Sequence, residues 1–143
     1  GKIDLVSEMF VFSKHTNYYE KEMGVDLNKY WVTFEKLIDR LELPVIKNRT
    51  NEIESEWSAD DTCRDINLDP GYFTPANLIL ASTKDFSHRI YLGDKIFGDL
   101  HLIYQQKKFN ILPWTYADYQ QPESLNFFMK VRNRYMEQIK SMS

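Results

Sequence analysis

The sequence is poor in cysteine and glycine, and both shortages exclude familiar kinds of site. Cys63 is the only cysteine in 143 residues, so neither an internal disulfide framework nor a cysteine-rich zinc site can form. The five glycines stand at positions 1, 24, 71, 93 and 98. None of them belongs to a glycine-rich loop followed by Lys and Ser or Thr, so the sequence contains no P-loop and no Rossmann fingerprint.

Long apolar runs and an excess of positive charge are missing too. No stretch of about 18 apolar residues occurs, so no membrane-spanning helix is predicted. The net charge is −3, from 18 basic and 21 acidic residues, which is the wrong sign for coating nucleic acid non-specifically. The first residues, Gly1-Lys2-Ile3-Asp4, lack the apolar stretch of a signal peptide. These features predict a cytoplasmic protein with no membrane partner.

Aromatic residues, in contrast, are abundant. Nine Phe, nine Tyr and three Trp make up 15% of the chain. Phe and Trp are bulky core residues first, which favours a ring-rich interior, although a stacking surface for a flat ligand stays open. The three histidines, His15, His88 and His101, lack the short spacing of zinc ligands, so no metal site is predicted.

The pattern of apolar residues predicts an α+β fold. Alternation predicts strands over Ile3–Phe12 and Tyr30–Leu37, and over a hairpin of His88–Leu92 and Ile96–Tyr104 that turns at Gly93-Asp94. A further strand is predicted over Phe109–Leu112, and helices are predicted to open at Leu43-Pro44 and at Pro122. Because no regular βαβ rhythm is present, we expect a mostly antiparallel or mixed sheet with helices packed on it, in a single domain spanning residues 1–143.

Two short segments in the middle of the chain are harder to interpret. Asp65–Asp69 has the pattern of a short buried strand that stops at Pro70-Gly71. Thr74-Pro75 is typical of a helix start, so Pro75–Ala81 is predicted to be a short apolar helix. The apolar run within it, residues 77–80, fits a buried strand equally well.

A basic triplet, Lys84, His88 and Arg89, is the clearest candidate for chemistry. Arg can bind a carboxylate or phosphate bidentately, Lys adds a point charge, and His can move a proton near neutral pH. The alternative is a surface Lys and Arg beside a hydrogen-bonded His. If the strand begins at His88, alternation points His88 and Arg89 to opposite faces and puts Tyr91 on the face of Arg89. That alternation weakens the case for a shared pocket.

Three further segments carry candidate ligand contacts. The turn Asp69-Pro70-Gly71-Tyr72 either places Asp69 and Tyr72 beside a ligand or uses Asp69 only to cap the backbone. Two aromatic loops, one with Tyr19 and one with Trp114 and Tyr116, either clamp a flat ligand or pin a loop over the core. The residue types leave these alternatives open.

The same segments resemble a known family over nearly the whole chain. They are Phe10-Val11-Phe12, Tyr18-Tyr19-Glu20-Lys21-Glu22-Met23-Gly24, Phe34-Glu35-Lys36-Leu37-Ile38, Asn67-Leu68-Asp69-Pro70-Gly71-Tyr72, Leu80-Ala81-Ser82-Thr83-Lys84-Asp85, His88-Arg89-Ile90-Tyr91-Leu92, and Pro113-Trp114-Thr115-Tyr116 with Asp118-Tyr119. In this order they look like the prokaryotic family known as domain of unknown function 4416.

The resemblance implies a shared site more than a defined activity. It implies that Asp69, Tyr72, Lys84, His88 and Arg89 converge. Members are often labelled GTP-binding proteins, and they usually carry a strand and a helix before the position of Gly1. The resemblance identifies no ligand and no cofactor.

Two functions of different classes follow from the sequence. The leading prediction is a site for a small anionic ligand, meaning a phosphate, nucleotide or carboxylate, with catalysis left open. Its catalytic candidates are His88 and Asp69, and its ligand-binding candidates are Lys84, Arg89, Tyr72, Tyr91, Trp114, Tyr116 and Tyr19. The alternative is a non-catalytic module that docks a protein or RNA partner through its aromatic loops. Docking requires Trp114, Tyr116 and Tyr119 to be exposed together as a patch.

Overall fold

The computed structural model describes residues 1–11, 27–58 and 65–143 of the chain. The fold is α+β, as predicted, and every strand pairing in the described ranges is antiparallel. The chain divides into two compact units, Gly1–Pro70 and Gly71–Ser143. The single domain expected over residues 1–143 stays a prediction. Within the described ranges, no helix has both the length and the apolar character needed to cross a membrane.

In its described residues, the first unit contains four short strands and one α-helix. They are β1 (Ile3–Val6), β2 (Phe10–Val11), β3 (Asn28–Lys29), β4 (Val32–Phe34) and α1 (Leu43–Glu56). β1 pairs with β4, and β2 pairs with β3. Of the two long strands expected here, the first is divided into β1 and β2 and the second is shortened to β4, because Ser7 and Trp31 bond each other out of the ladder. The Trp31 N–H donates to the Ser7 hydroxyl at 2.8 Å, and the Ser7 N–H donates to the Trp31 carbonyl at 3.0 Å.

The helix α1 begins as predicted and also accounts for a wrong prediction. A capping box at Asp39 and a 3₁₀ turn precede it, and Pro44 occupies its first turn. Two buried side chains of α1 hydrogen-bond the backbone N–H and carbonyl of Leu68. Glu54 Oε1 accepts the Leu68 N–H at 2.6 Å, and Lys47 Nζ donates to the Leu68 carbonyl at 3.0 Å. The strand predicted over Asp65–Asp69 is therefore absent, because side chains of α1 bind the backbone N–H and carbonyl of Leu68.

The second unit is built around one long strand. Its elements are β5 (Gly71–Phe73), β6 (Asn77–Ser82), β7 (Arg89–Gly93), β8 (Ile96–Gln105), β9 (Lys108–Ile111) and α2 (Pro122–Ser141). The sheet order is β5-β6-β8-β7, and β9 also pairs with β8. The predicted hairpin is confirmed, but its two turn residues are Asp94-Lys95 and not Gly93-Asp94, because Gly93 pairs with Ile96. The strand after it and the start of the closing helix are also confirmed. Phe128 of α2 is buried against the rings of Phe73 and Tyr119, with centroids 5.8 and 5.5 Å away.

The segment after Thr74 is a strand, and the helix predicted over Pro75–Ala81 is wrong. The Thr74 hydroxyl accepts the N–H groups of Ala76 and Asn77, both at 3.0 Å, as a helix cap would. The Thr74 N–H, however, donates to the Asn77 carbonyl at 2.9 Å and closes a tight turn between β5 and β6. The capping chemistry therefore serves a hairpin, and the buried-strand alternative is correct.

The middle of β8 has an irregular edge. β7 and β9 both pair with the side of β8 opposite β6, one near each end, so Leu100 and His101 lie between them. On the other side, Leu78 pairs with Leu102 and Ile79 with Leu100, which makes His101 the extra residue of a β-bulge. The loop after β9 fills the gap. The Trp114 indole N–H donates to the Leu100 carbonyl and the Thr115 hydroxyl to the His101 carbonyl, both at 2.7 Å.

Both hairpins of β8 turn on non-glycine residues with positive φ. Asp94 and Lys95 have φ values of 50° and 62°, and Gln106 and Lys107 have 52° and 62°. Two successive residues in this region form a type I′ turn, for which Asn-Gly is the preferred pair. The residues at these turns are thus less favourable for a type I′ turn than Asn-Gly would be.

Replacing Gln106-Lys107 by Asn-Gly is expected to raise the free energy of unfolding by about 1 kcal/mol. A left-handed conformation costs a residue with a Cβ about 1–2 kcal/mol, and part of the gain is lost to the entropy of glycine. Urea unfolding should show a higher midpoint with an unchanged slope. Lys108→Gly is the control, because Lys108 lies in β9 and the change there should be destabilising. Equal effects at positions 107 and 108 would contradict this explanation.

Candidate functional site

A buried carboxylate, Asp99 of β8, is the centre of the candidate site. It is 1% exposed, and it pairs with Leu80 of β6 on one side and with Arg89 of β7 on the other. Directly opposed residues in a sheet project to the same face, so the side chain of Arg89 reaches Asp99 across the ladder. A buried charge is stable only with partners of this kind.

Arg89 is an internal cation whose hydrogen bonds are mostly used within the protein. Its Nε donates to Asp99 Oδ2 at 2.9 Å, and its Nη1 donates to the Ser82 hydroxyl at 2.7 Å and the Lys84 carbonyl at 3.2 Å. Its Nη2 donates to the Tyr116 hydroxyl at 2.9 Å. Four of the five N–H groups of a guanidinium are therefore engaged, which fixes its position.

His101 is held as a neutral ring. It is fully buried, and its Nε2 accepts the Tyr116 backbone N–H at 3.0 Å. That nitrogen therefore carries no proton, so Nδ1 carries the hydrogen and donates it to Asp99 Oδ1 at 3.0 Å. The ring packs against Tyr116 and Tyr119, each with centroids 4.5 Å away. His101 thus orients Asp99 without adding charge.

His88 joins the same carboxylate from the surface side. Its Nε2 lies 3.3 Å from Asp99 Oδ2, and its ring stacks on Trp114 at 4.8 Å and 17°. The side chain is 17% exposed. The expectation that His88 and Arg89 point apart is wrong, because β7 begins at Arg89 and His88 lies in the preceding turn. The Arg89 N–H donates to the Phe86 carbonyl at 2.9 Å and closes that turn.

These contacts determine the ionisation of Asp99. Burial by itself would raise the pKa of Asp99, but hydrogen bonds from His101 and Arg89 outweigh burial and lower the pKa below its usual value. The carboxylate is therefore ionised in the folded protein at neutral pH. A group with a lowered folded pKa stabilises the fold above its unfolded pKa, and this contribution is lost as pH falls through the folded pKa.

The surface over Asp99, here called the His88 rim, consists of Lys84, Phe86, His88 and Tyr116. Phe86 and Tyr116 are 50% and 45% exposed, and the side chain of Lys84 is also exposed. Arg89 lies under this surface, with its guanidinium carbon 4.5 Å from the centroid of the Phe86 ring. The rim therefore presents a hydroxyl and an imidazole above a rigid buried carboxylate, and Lys84 is exposed on the loop that leads to β7.

The aromatic loop does not form the exposed patch that docking requires. Tyr119 is 2% exposed, and the Trp114 indole is half-buried and bonded to β8. Of the three rings, only Tyr116 is well exposed. The loop is bonded to β8 through Trp114, and ligand contact by Trp114 and Tyr116 stays a prediction.

Two of the remaining predicted residues, Tyr91 and Tyr72, lie on strands of the second unit, and neither bonds Asp99. Tyr91 is exposed on the face of Arg89, as expected, with its ring 5.3 Å from Phe97. Tyr72 pairs with Ile79, the neighbour of Leu80, and so projects to the other face of the sheet. Asp69 belongs to the first unit, where its Oδ1 lies 3.8 Å from Lys47 Nζ. Tyr19 lies outside the described residues.

Sequence reasoning missed two of the central residues, Asp99 and His101. The signal was present, because both interrupt the otherwise apolar run of residues 96–103 at alternate positions. A charged residue inside a buried strand requires a partner, and Arg89 was available on the strand paired with it.

Within the described ranges, no group of three or more His, Cys, Asp or Glu side chains is arranged to hold a metal ion.

Comparisons with known proteins address the resemblance described above. No curated protein and no solved structure matches the chain significantly. A family model matches residues 1–135 of the 143, which confirms the resemblance. The chain therefore belongs to the family described as Domain of unknown function (DUF4416).

Proposed function

We propose that the chain binds the anionic group of a small ligand, a phosphate or a carboxylate, at the His88 rim. One observation carries this proposal: His88 is held from below by the buried Asp99 and from the side by Trp114, while its ring remains partly open to solvent. A fixed, partly exposed histidine on a buried carboxylate is an arrangement typical of functional sites.

The orientation of His88 defines what the ring offers to a ligand. Its Nε2 donates to Asp99 Oδ2, so Nδ1 is the ring atom left to interact with a ligand. Tyr116 Oη accepts a hydrogen bond from Arg89, and a hydroxyl in this position can also donate. The side chain of Lys84 adds a positive charge on the same surface. Together they supply donors and charge for an oxyanion.

Arg89 has a supporting role in this proposal. Its charge is balanced by Asp99, and its donors hold Ser82, Lys84 and Tyr116 in place. Arg89 thus fixes the backbone of Lys84 and the hydroxyl of Tyr116, and so supports two of the residues that would contact the ligand. Removing Arg89 would disturb the whole rim, so it is a poor test of direct contact.

Titration with benzenesulfonate and with inorganic phosphate tests the proposal. We expect saturable binding, weakened about tenfold or more in His88→Ala and about three- to tenfold in Lys84→Ala, as expected for loss of a charge-assisted hydrogen bond. The matched control is Lys108→Ala, which removes an exposed lysine on β9 and should bind as the wild type does. Unfolding midpoints should be recorded with and without ligand, because bound ligand raises stability by mass action. Unchanged binding in both rim variants would show that the ligand site lies elsewhere.

A further inference from the structure

The charges of the buried cluster cancel while His88 is neutral. Asp99 is ionised and Arg89 is its counter-charge, with 2.9 Å between Nε and Oδ2. His101 adds no charge, because the Tyr116 N–H occupies its Nε2. A neutral cluster has no net attraction for an anion, so an anion at the rim requires a source of positive charge.

Besides the exposed Lys84, whose charge is opposed by the neighbouring Asp85, the group at the rim that can supply this charge is the ring of His88 when it is protonated. Asp99 faces it from β8, and Arg89 follows it on β7. The neighbouring rings of Trp114 and Phe86 carry no titratable group. Their centroids lie 4.8 and 6.1 Å from that of the His88 ring. Of the charged residues on the loop before β7, Lys84 and Asp85 are exposed and opposite in sign.

The geometry of neutral His88 opposes an anion directly. With the ring hydrogen on Nε2, bonded to Asp99, Nδ1 presents a lone pair. An oxyanion brought to Nδ1 would meet that lone pair and be repelled. The same ring with a proton added at Nδ1 becomes a donor and a cation, and it keeps its bond to Asp99.

We propose that anion binding at the His88 rim is coupled to the uptake of one proton by His88. The imidazolium donates Nε2–H to Asp99 and Nδ1–H to the ligand oxygen. When the ligand is fully ionised, His88 takes this proton from solvent. A ligand that carries an acidic proton, such as a phosphate monoester monoanion, transfers its own proton to His88. This inference rests on the proposed function and adds its dependence on pH.

Benzenesulfonate is a suitable probe, because it keeps a constant charge over the range in which histidine titrates. Calorimetric titrations at about pH 7.5 in two buffers of different ionisation enthalpy should show uptake of about one proton per ligand bound. The dissociation constant should rise by up to about tenfold per pH unit on the alkaline side of histidine titration. In His88→Gln, whose amide can still donate to Asp99, both the proton uptake and the pH dependence should disappear.

The outcomes separate this inference from the proposed function. Binding that is independent of pH, with no proton uptake in either buffer, would overturn the coupling and leave the anion site standing. Absence of binding at any pH between about 5 and 8 would overturn both. Uptake that persists in His88→Gln would assign the proton to another group and also overturn the inference. The wild-type calorimetry decides the first two cases, so the test does not depend on the folding of the variant.

Discussion

Replacing Asp99 by alanine is expected to lower the free energy of unfolding by about 3–5 kcal/mol. The Arg89 side chain is 2% exposed, and without Asp99 it would remain as a buried charge with no counter-charge, which costs about this much. His88 and His101 would lose the same acceptor. Urea unfolding followed by circular dichroism measures the change, with the midpoint and slope fitted together.

Two controls separate the buried ion pair from a general effect of removing an acid. Asp85→Ala removes an exposed carboxylate near the same strand and should change stability by no more than about 0.5 kcal/mol. The double variant Arg89→Met with Asp99→Leu removes both charges, so it should be more stable than the sum of the single changes predicts. If Asp99→Ala lowers the free energy of unfolding no more than Asp85→Ala does, the buried cluster does not contribute to stability.

Acid should reproduce part of the Asp99 effect in the wild type. Because the folded pKa of Asp99 is lowered, its contribution is complete above the usual pKa of an aspartate, about 3.9, and declines as pH falls through the lower folded value. Unfolding free energies measured from about pH 5 down to about pH 2 should fall. Asp99→Asn has no carboxylate to titrate here, so its curve should fall less steeply over the same range.

Replacing His101 by leucine is expected to cost about 2–4 kcal/mol. Leucine is close to histidine in volume, so the contacts with Tyr116 and Tyr119 largely persist. The loss comes from the buried Tyr116 N–H and Asp99 Oδ1, which are both deprived of their partner. Each buried polar group left unsatisfied costs about 1–3 kcal/mol. Chemical unfolding measures the sum.

The same substitution at the rim is the matched control. His88→Leu removes one contact to Asp99, but Arg89 still neutralises that carboxylate, and the side chain at position 88 is partly solvated. Its cost should stay below about 1.5 kcal/mol, while its effect on anion binding should be the larger of the two. Equal costs at positions 88 and 101 would contradict the assignment of His101 as the fixed neutral ring that orients Asp99.

The sequence predicts the hairpin well, because local chemistry specifies it. Alternating residues flank a short turn, and no distant partner is needed to form it. The end of β1 at Ser7 and the start of β4 after Trp31 were not predictable, since they depend on a reciprocal bond between residues 24 positions apart. The wrong strand at Asp65–Asp69 has a similar cause: buried Lys47 and Glu54 of α1 reach across the sequence to its backbone.

The pairing of Arg89 with Asp99 shows why the site was only half predicted. Gly93 pairs with Ile96, and a regular hairpin extended from that pair would set Arg89 opposite Leu100. The register shifts by one residue between Tyr91 and Gly93, so Asp99 becomes the partner. A one-residue shift exchanges the faces of every side chain beyond it. The residue types indicated a basic cluster. The register shift that places Asp99 beside Arg89 could not be predicted from the pattern of apolar residues.

The loop from Trp114 to Thr115 has a consequence for how this protein behaves among copies of itself. Between β7 and β9, the unpaired edge of β8 would offer the carbonyls of Leu100 and His101 to any strand that approached. Exposed edges of this kind are where chains pair and aggregate. The indole and hydroxyl of this loop occupy the carbonyls of Leu100 and His101. This aromatic loop, whose sequence suggests a partner-binding surface, thus protects this stretch of the edge of β8 from pairing with strands of other molecules.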